Sequence, residues 1–229
     1  MTSELAKRIF TSIALIGLFL FCFFIHPYFF YILITIVTII SWFELNNIFK
    51  KIKLNKNINI FLSFIYLSFF VFIVSYGYNQ KISIIFVLLV CIFSDIGGYI
   101  IGKGIGGKKL TKISPNKTIS GSLGSFLFSL FPLGLLILII NFSKFDLGVG
   151  IGDFFYWDEM ILKSIINGIV LCLTLSFVSQ TGDLIISYFK RLAKVKDTGK
   201  FLPGHGGILD RIDGIILAIP FYYFFWIKL

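Results

Sequence analysis

The chain has 229 residues, 57% of them apolar and only 14% charged, with 29 Phe and a mean hydropathy of +0.94. Those values exclude a soluble domain with a polar shell and define an integral membrane protein, one polytopic unit built of spans of roughly 20 residues each. The formal charge of +10 then reads as membrane topology plus attraction to anionic lipid head groups, and no nucleic-acid partner is expected.

Apolar runs at 9–25, 28–43, 58–76, 82–101, 121–141, 161–189 and 212–227 predict an all-α, polytopic transmembrane bundle of about seven crossings. The second and seventh are short for a hydrocarbon layer about 30 Å thick, and the sixth is long enough to extend beyond it. His26-Pro27 marks the reversal between the first two. The first run has no small-residue cleavage site and is followed at once by another apolar run, so it is expected to stay as a helix. Residues 1–90 form an N-terminal set of helices, and 91–229 a second region carrying the polar loops 102–120 and 190–213.

Lys and Arg concentrate in cytoplasmic loops. With the N-terminus inside, all of the 21 bases except Lys81, Lys144, Lys163 and Lys228 fall on inner segments, while Asp146, Asp153, Asp158 and Glu159 share the longest outer loop. This predicts a cytoplasmic N-terminus and an outer C-terminus. Cys22, Cys91 and Cys172 lie inside predicted spans at no metal-ligand spacing, which implies apolar fillers rather than a disulfide or a zinc site.

Chemistry is expected where charge is expensive. Asp95 in "CIFSDIGGYIIG" and Asp183 in "SFVSQTGDLIISYFKR" lie within or at the ends of apolar helices, where an ionised carboxylate costs a few kcal/mol unless it is paired or bound to metal. For either acid alone, a packing role beside a Lys or Arg is an equal alternative; two of them next to basic, glycine-rich loops point to function. Gln180, Asp183 and Ser187 share one helical face, with Lys190 and Arg191 a turn further on, a stripe suited to lining a polar cavity.

The first loop, "GKGIGGKKLTKISPNKTISGSLG" (102–124), combines glycines, lysines and hydroxyls. Glycines let backbone N–H groups approach phosphate oxygens, lysines add point charge, and a helix starting after "SPNKTISG" would aim its positive end at an anion. It is not a Walker A loop, because Gly107-Lys108 continues to Lys109 and the spacing is wrong. The same composition also suits a plain basic loop obeying charge topology. Gly98 and Gly102, four apart, read as a close helix-packing pair.

The second loop, "KDTGKFLPGHGGILDRID" (196–213), gathers carboxylates, bases, a histidine and glycines just before the final apolar run. Asp210 and Asp213, three apart, are expected to share a face and aim at one divalent cation, with Arg211 turned toward a phosphate. His205 sits among Gly204, Gly206 and Gly207, which suggests contact with substrate. Carboxylates holding magnesium amid Lys and Arg suit transfer of a phosphoryl or nucleotidyl group. No H-E-x-x-H, Ser-His-Asp order or paired-Cys pattern argues for hydrolysis instead.

These residues carry a resemblance. "SYFKRLAKVKDTGKFLPGHGGILDRID" (187–213) resembles the signature of the phosphatidate cytidylyltransferases, or CDP-diacylglycerol synthases: S-x-x-K-R, K-D-x-G, P-G-H-G-G and D-R-x-D, with every fixed position present. "SQTGD" (179–183), "DIGGYIIGKGIG" and "SPNKTISG" are similar to that family's S-x-x-G-D, D-x-x-[AG]-Y-x-x-G and S-P-x-K-T-x-E-G blocks, except that Ser120 stands where the family has Glu. The resemblance covers about residues 95–215; the chain looks shorter than typical bacterial members, with a reduced N-terminal helical region.

The resemblance implies cytidylyl transfer from CTP to phosphatidate, giving CDP-diacylglycerol and pyrophosphate in phospholipid biosynthesis. It implies Mg2+ as cofactor, with a second, monovalent cation left open. It also implies a homodimer in the lipid bilayer of a bacterial plasma membrane, its site facing the cytoplasm. By motif position Asp183 and Asp210 are the leading metal ligands, with Asp213 and Asp95 second. Lys117, Lys190, Arg191, Lys196 and Arg211 would neutralise phosphates, and His205 would bind oxygen or buffer a proton. Thr118, Ser179, Ser187, Gly204, Gly206 and Gly207 would line the substrates. Two alternatives stay open. A CTP-dependent polyprenol or phytol kinase fits less well with the full P-G-H-G-G and D-R-x-D. An ion-coupled transporter would leave the glycine-histidine loop without a purpose.

Overall fold

The computed structural model describes residues 2–53, 55–77, 79–111, 113–143, 161–199, 201–202 and 206–226. The first two helices, α1 (Thr2–Ile25) and α2 (Pro27–Ile52), are divided at His26. Its extended backbone leaves the helical path, its ring Nδ1 accepts the Tyr28 N–H at 3.4 Å, and Pro27 takes the first helical position, where a missing N–H costs nothing. Asn55 caps α3 (Lys56–Tyr76) in the same way. The next helix, α4 (Lys81–Ile105), stops where Gly106 and Gly107 take φ values of 67° and 110°, a region that excludes most side chains.

The expected run at 121–141 forms two helices, α5 (Ile119–Phe128) and α6 (Phe131–Ser143). Pro132 has no N–H to give to Phe128, and Ser129 returns its hydroxyl to the Phe126 carbonyl at 2.7 Å, so the ladder breaks between them. Next, α7 (Ile161–Leu192) has 32 residues, about 48 Å of helix, and overruns a bilayer core as its length predicted. The final run is α8 (Leu209–Ile212), α9 (Ile215–Phe221) and a π-helical turn, Tyr222–Trp226. Pro220 withholds the N–H that would bond to the Ile216 carbonyl, and the wider turn follows it.

Among the described residues there are no strands, only the bridges Lys109 to Thr118 and Leu202 to Gly206. Among the described residues five stretches, Pro27–Ile52, Asn57–Tyr76, Lys81–Ile105, Ile119–Leu138 and Ile165–Leu192, are long and apolar enough to cross a membrane; Ile13–Ile25 and Ile215–Phe224 are shorter apolar helices. The protein is an all-helical membrane protein. Phe23, Phe30, Phe49, Val87, Leu171, Leu175 and Leu209 fill its centre, while Phe24, Phe61, Phe64, Leu127 and Phe177 stay exposed on the outside, as lipid permits. All three cysteines are buried and free. The acidic group at 146–159 lies outside the described residues.

Helix contact is closest between α4 and α5. A Cβ on Gly97 would lie 2.5 Å from the Gly124 carbonyl oxygen, on Gly98 2.5 Å from the Ser125 hydroxyl, and on Gly121 2.8 Å from the Gly98 carbonyl. The small residues at 98 and 102 therefore serve packing, as their spacing suggested, and bring the start of α5 against the end of α4. At this same end Arg191 Nε donates to the Ile113 carbonyl at 3.2 Å, joining the two basic loops.

Candidate active site

The site begins on one face of α7. Gln180 Oε1 accepts from Ser122 at 2.7 Å and its Nε2 donates to Ser176 at 3.2 Å; Ser176 pairs with the buried Ser94 at 2.8 Å. This hydroxyl ladder joins α4, α5 and α7 and satisfies polar groups that lipid could not. One turn on, Asp183 accepts from Ser187 at 3.2 Å and forms an ion pair with Lys117. Asp183 stands nine residues before the end of α7, so its carboxylate lies about 13 Å along the axis from that end. A cavity of about 320 Å³ opens here, lined by Asp95, Asn116, Lys117, Ser122, Gln180 and Asp183 among others.

Lys117 is aimed by a loop more ordered than its composition suggests. Leu110 N–H donates to the Lys117 carbonyl at 2.8 Å and Ile119 N–H to the Lys108 carbonyl at 3.0 Å. Thr118 caps α5 by accepting the Gly121 N–H at 3.0 Å, and Ser120 bonds both Thr118 and the Gly106 carbonyl. Ser120, where the family resemblance has Glu, thus ties the glycine turn to the helix start. Thr118 both caps the helix and lines the cavity.

The 213 turn reaches α7 because both surfaces lack bulk. A Cβ on Gly182 would sit 2.7 Å from the Asp213 carbonyl oxygen and 3.1 Å from the Gly214 Cα; one on Gly214 would strike Ser179. Ser179, 2% exposed, therefore sits in a helix contact. The approach brings the Asp213 side chain into hydrogen-bonding contact with that of Asp183, with Asp95 and Lys190 nearby. Two carboxylates in contact must share a proton or a cation.

Asp210 points elsewhere. Its Oδ1 accepts from Lys190 Nζ at 2.7 Å, and its Oδ2 from the Thr198 N–H at 2.8 Å and the Gly207 N–H at 3.1 Å, with the Thr198 hydroxyl 3.0 Å away. Burial alone would raise this carboxyl, but Lys190 and the two backbone N–H groups outweigh it and hold it below the usual carboxylate value. Asp210 and Asp213, expected to converge on one ion, are instead engaged separately: Asp213 contacts Asp183, while Asp210 ties down its own loop. Lys196 and Arg211 are exposed, and Gly206, at φ 86°, closes the bridge to Leu202. Gly204 and His205 lie outside the described residues.

Among the described residues, no three His, Cys, Asp or Glu side chains form a ready metal cluster. The donor set still fits magnesium, which takes one or two carboxylates and fills its remaining positions with water and substrate phosphate. The Asp183–Asp213 pair, with Asp95 near Asp183, could supply the carboxylates, and Lys117 now offsets part of their charge.

The sequence reading passed over Glu44. It projects from α2, is 7% exposed, and its carboxylate accepts from Thr198, Ile208 and Leu209. The signal was present in "IISWFELNNIF", an acid within an apolar run, the same criterion that picked out Asp95 and Asp183.

A helical membrane protein with paired carboxylates, flanking lysines and a cavity at the end where its basic loops meet is built to handle polyanions. Residues 49–228 match the Cytidylyltransferase family, and the chain belongs to it. It is 33% identical over 229 residues to the phosphatidate cytidylyltransferase of Rickettsia bellii (strain RML369-C), covering 97% of this chain and 90% of the relative. It is 40% identical over 144 residues to the protein of that name from Synechocystis (61% of this chain, 41% of the relative). With the one from Haemophilus influenzae it is 34% identical over 150 residues (65% and 47%). The chain thus matches nearly all of the first relative and less than half the length of the other two.

Proposed function

We propose that this chain transfers a cytidylyl group from CTP to phosphatidate. An oxygen of the lipid phosphate bonds to the α-phosphorus of CTP, the bond from that phosphorus to the bridging oxygen of the β-phosphate breaks, and pyrophosphate departs with the electron pair. The observation that carries the reading is the cavity of about 320 Å³ whose lining includes Lys117, Gln180 and Asp183, in a chain of the cytidylyltransferase family.

The lipid phosphate is already an anion near neutral pH, so no strong general base is required. The chief obstacle is repulsion between two polyanions, which Lys117, Lys190 and Arg191 offset, with Lys196 and Arg211 on the exposed side. Asp183 and Asp213, with Asp95, would hold Mg2+, which when bound neutralises charge on the phosphates. Lys117 then exchanges its Asp183 partner for a phosphate oxygen. Asp210 keeps Lys190 directed at the site, and His205 serves as an oxygen-binding or proton-buffering group. CTP is cytosolic and phosphatidate lies in the bilayer, so the site faces the cytoplasm of a plasma membrane; a homodimer is part of this reading.

Membranes containing the chain, incubated with CTP labelled at the α-phosphorus, Mg2+ and phosphatidate, should yield a labelled liponucleotide. Label appearing in lipid only from γ-labelled CTP, or no lipid product, would overturn the proposal.

A further inference from the structure

Glu44 has no place in the chemistry above and lies ahead of the family match at 49–228, yet it makes the most elaborate long-range contact in the molecule's described part. Its Oε1 accepts the Ile208 N–H at 3.2 Å; its Oε2 accepts the Leu209 N–H at 2.9 Å and faces the Thr198 hydroxyl at 3.0 Å. Among the described residues it forms no ion pair. A buried carboxylate satisfied by neutral donors alone is costly unless every donor is aimed at it, so the loop must be shaped around it.

The loop shows that shaping. A Cβ on Gly199 would run into the Glu44 carboxylate, and one on Gly207 into Glu44 and Thr198 together. Gly199 of the K-D-x-G segment and Gly207 of the G-G segment are therefore required by close approach of this acid. Thr198 connects the parts: its hydroxyl stands 3.0 Å from Glu44 Oε2 and 3.0 Å from Asp210 Oδ2, and it has one proton to give. Asp210 has two backbone donors and Lys190 besides. The clamp grips the loop at residue 198 and again at 208–209, adjoining Asp210 and four residues before Asp213.

We infer that Glu44 is a positioning residue for cytidylyl transfer: its carboxylate fixes the chain at Thr198 and at Ile208–Leu209, and through these the placement of Asp210 against Lys190 and of Asp213 against Asp183. A carboxylate is needed because it accepts at both oxygens and donates at neither. In Glu44→Gln an amide NH2 would face the N–H of Ile208 or of Leu209, leaving donors opposed in a buried place.

The inference rests on the proposed function, and its test separates the two. Full-length wild type, Glu44→Gln, Thr198→Val, Thr198→Ser and the Glu44→Gln/Thr198→Val double variant are purified in detergent. Each is assayed for kcat and KM with CTP, and for hydrogen exchange of the 208 and 209 amides. Loss of charge-assisted hydrogen bonds predicts a fall in kcat/KM of about tenfold or more for Glu44→Gln, carried mainly by kcat, with faster exchange at 208 and 209. Thr198→Val is impaired, Thr198→Ser recovers most of that loss, and the double variant is no worse than Glu44→Gln alone, as for residues acting as a unit. Wild-type kcat/KM and exchange in Glu44→Gln, or losses that multiply in the double variant, overturn the inference. If Glu44→Gln does not insert, the Val and Ser pair at 198 decides: equal activity overturns it. Wild type that makes no liponucleotide overturns the proposed function, while the exchange measurements still test the clamp.

Discussion

Asp183 meets a base on one side and another acid on the other, and this asymmetry sets what single substitutions should do. Lys117 compensates a group in which Asp183 faces both Asp213 and Asp95. Lys117→Ala should raise the KM for CTP about tenfold, the size of one lost charge-assisted contact, with the chain still inserted; a CTP titration checks it. Asp210 behaves differently. Because its folded-state pKa is depressed, the stability it contributes is present above the unfolded value of about 4 and is lost as pH falls through the folded value. In detergent, thermal melts of wild type and Asp210→Asn should therefore differ by a constant amount from pH 5 upward and converge in stronger acid. Turnover by Asp210→Asn should be abolished, since Lys190 loses its partner and the loop its anchor. Asp95, Asp183 and the 196–213 signature were legible because charge in an apolar chain needs a reason. What Asp210 holds was not, because spacing along the chain cannot distinguish a metal ligand from a carboxylate that collects its own loop's N–H groups.

At the scale of elements, absent side chains set the geometry. Gly182 lets the 213 turn lie on α7, so Gly182→Ala should push Asp213 away from Asp183, reducing activity at a cost of about 1–3 kcal/mol in stability from overpacking. Gly104, with nothing within 4 Å of its would-be Cβ, is the control: Gly104→Ala should gain up to about 1 kcal/mol and leave turnover near wild type. Melting temperature and liponucleotide formation, measured on both, distinguish the cases. Helix order was largely readable from apolar runs and from His26-Pro27, whereas of the seven crossings expected, five stretches among the described residues are long and apolar enough to span. The division of 121–141 at Pro132 was not, since a proline within an apolar run gives no sign of whether the helix kinks or stops.

For the molecule as a whole, the described residues argued to handle phosphates gather at one end, where α2, α4 and α7 finish and α5 and α8 begin. If that end is cytoplasmic, single cysteines at the exposed Lys108 and Lys194 should react with an impermeant maleimide in inside-out vesicles and not in intact cells. Burial of Cys22, Cys91 and Cys172 keeps the background low. Labelling of intact cells would reverse the orientation. Counting bases along the chain suggested this sidedness, but only the fold shows that the separate basic segments meet.

The bond from Glu44 to the signature loop spans 154 to 165 residues. During synthesis α2 enters the bilayer while most of those residues have yet to be made, so its acid waits without the donors that later surround it. Closure of the clasp is thus a late event in biogenesis, since it must await synthesis of residues 198 to 209.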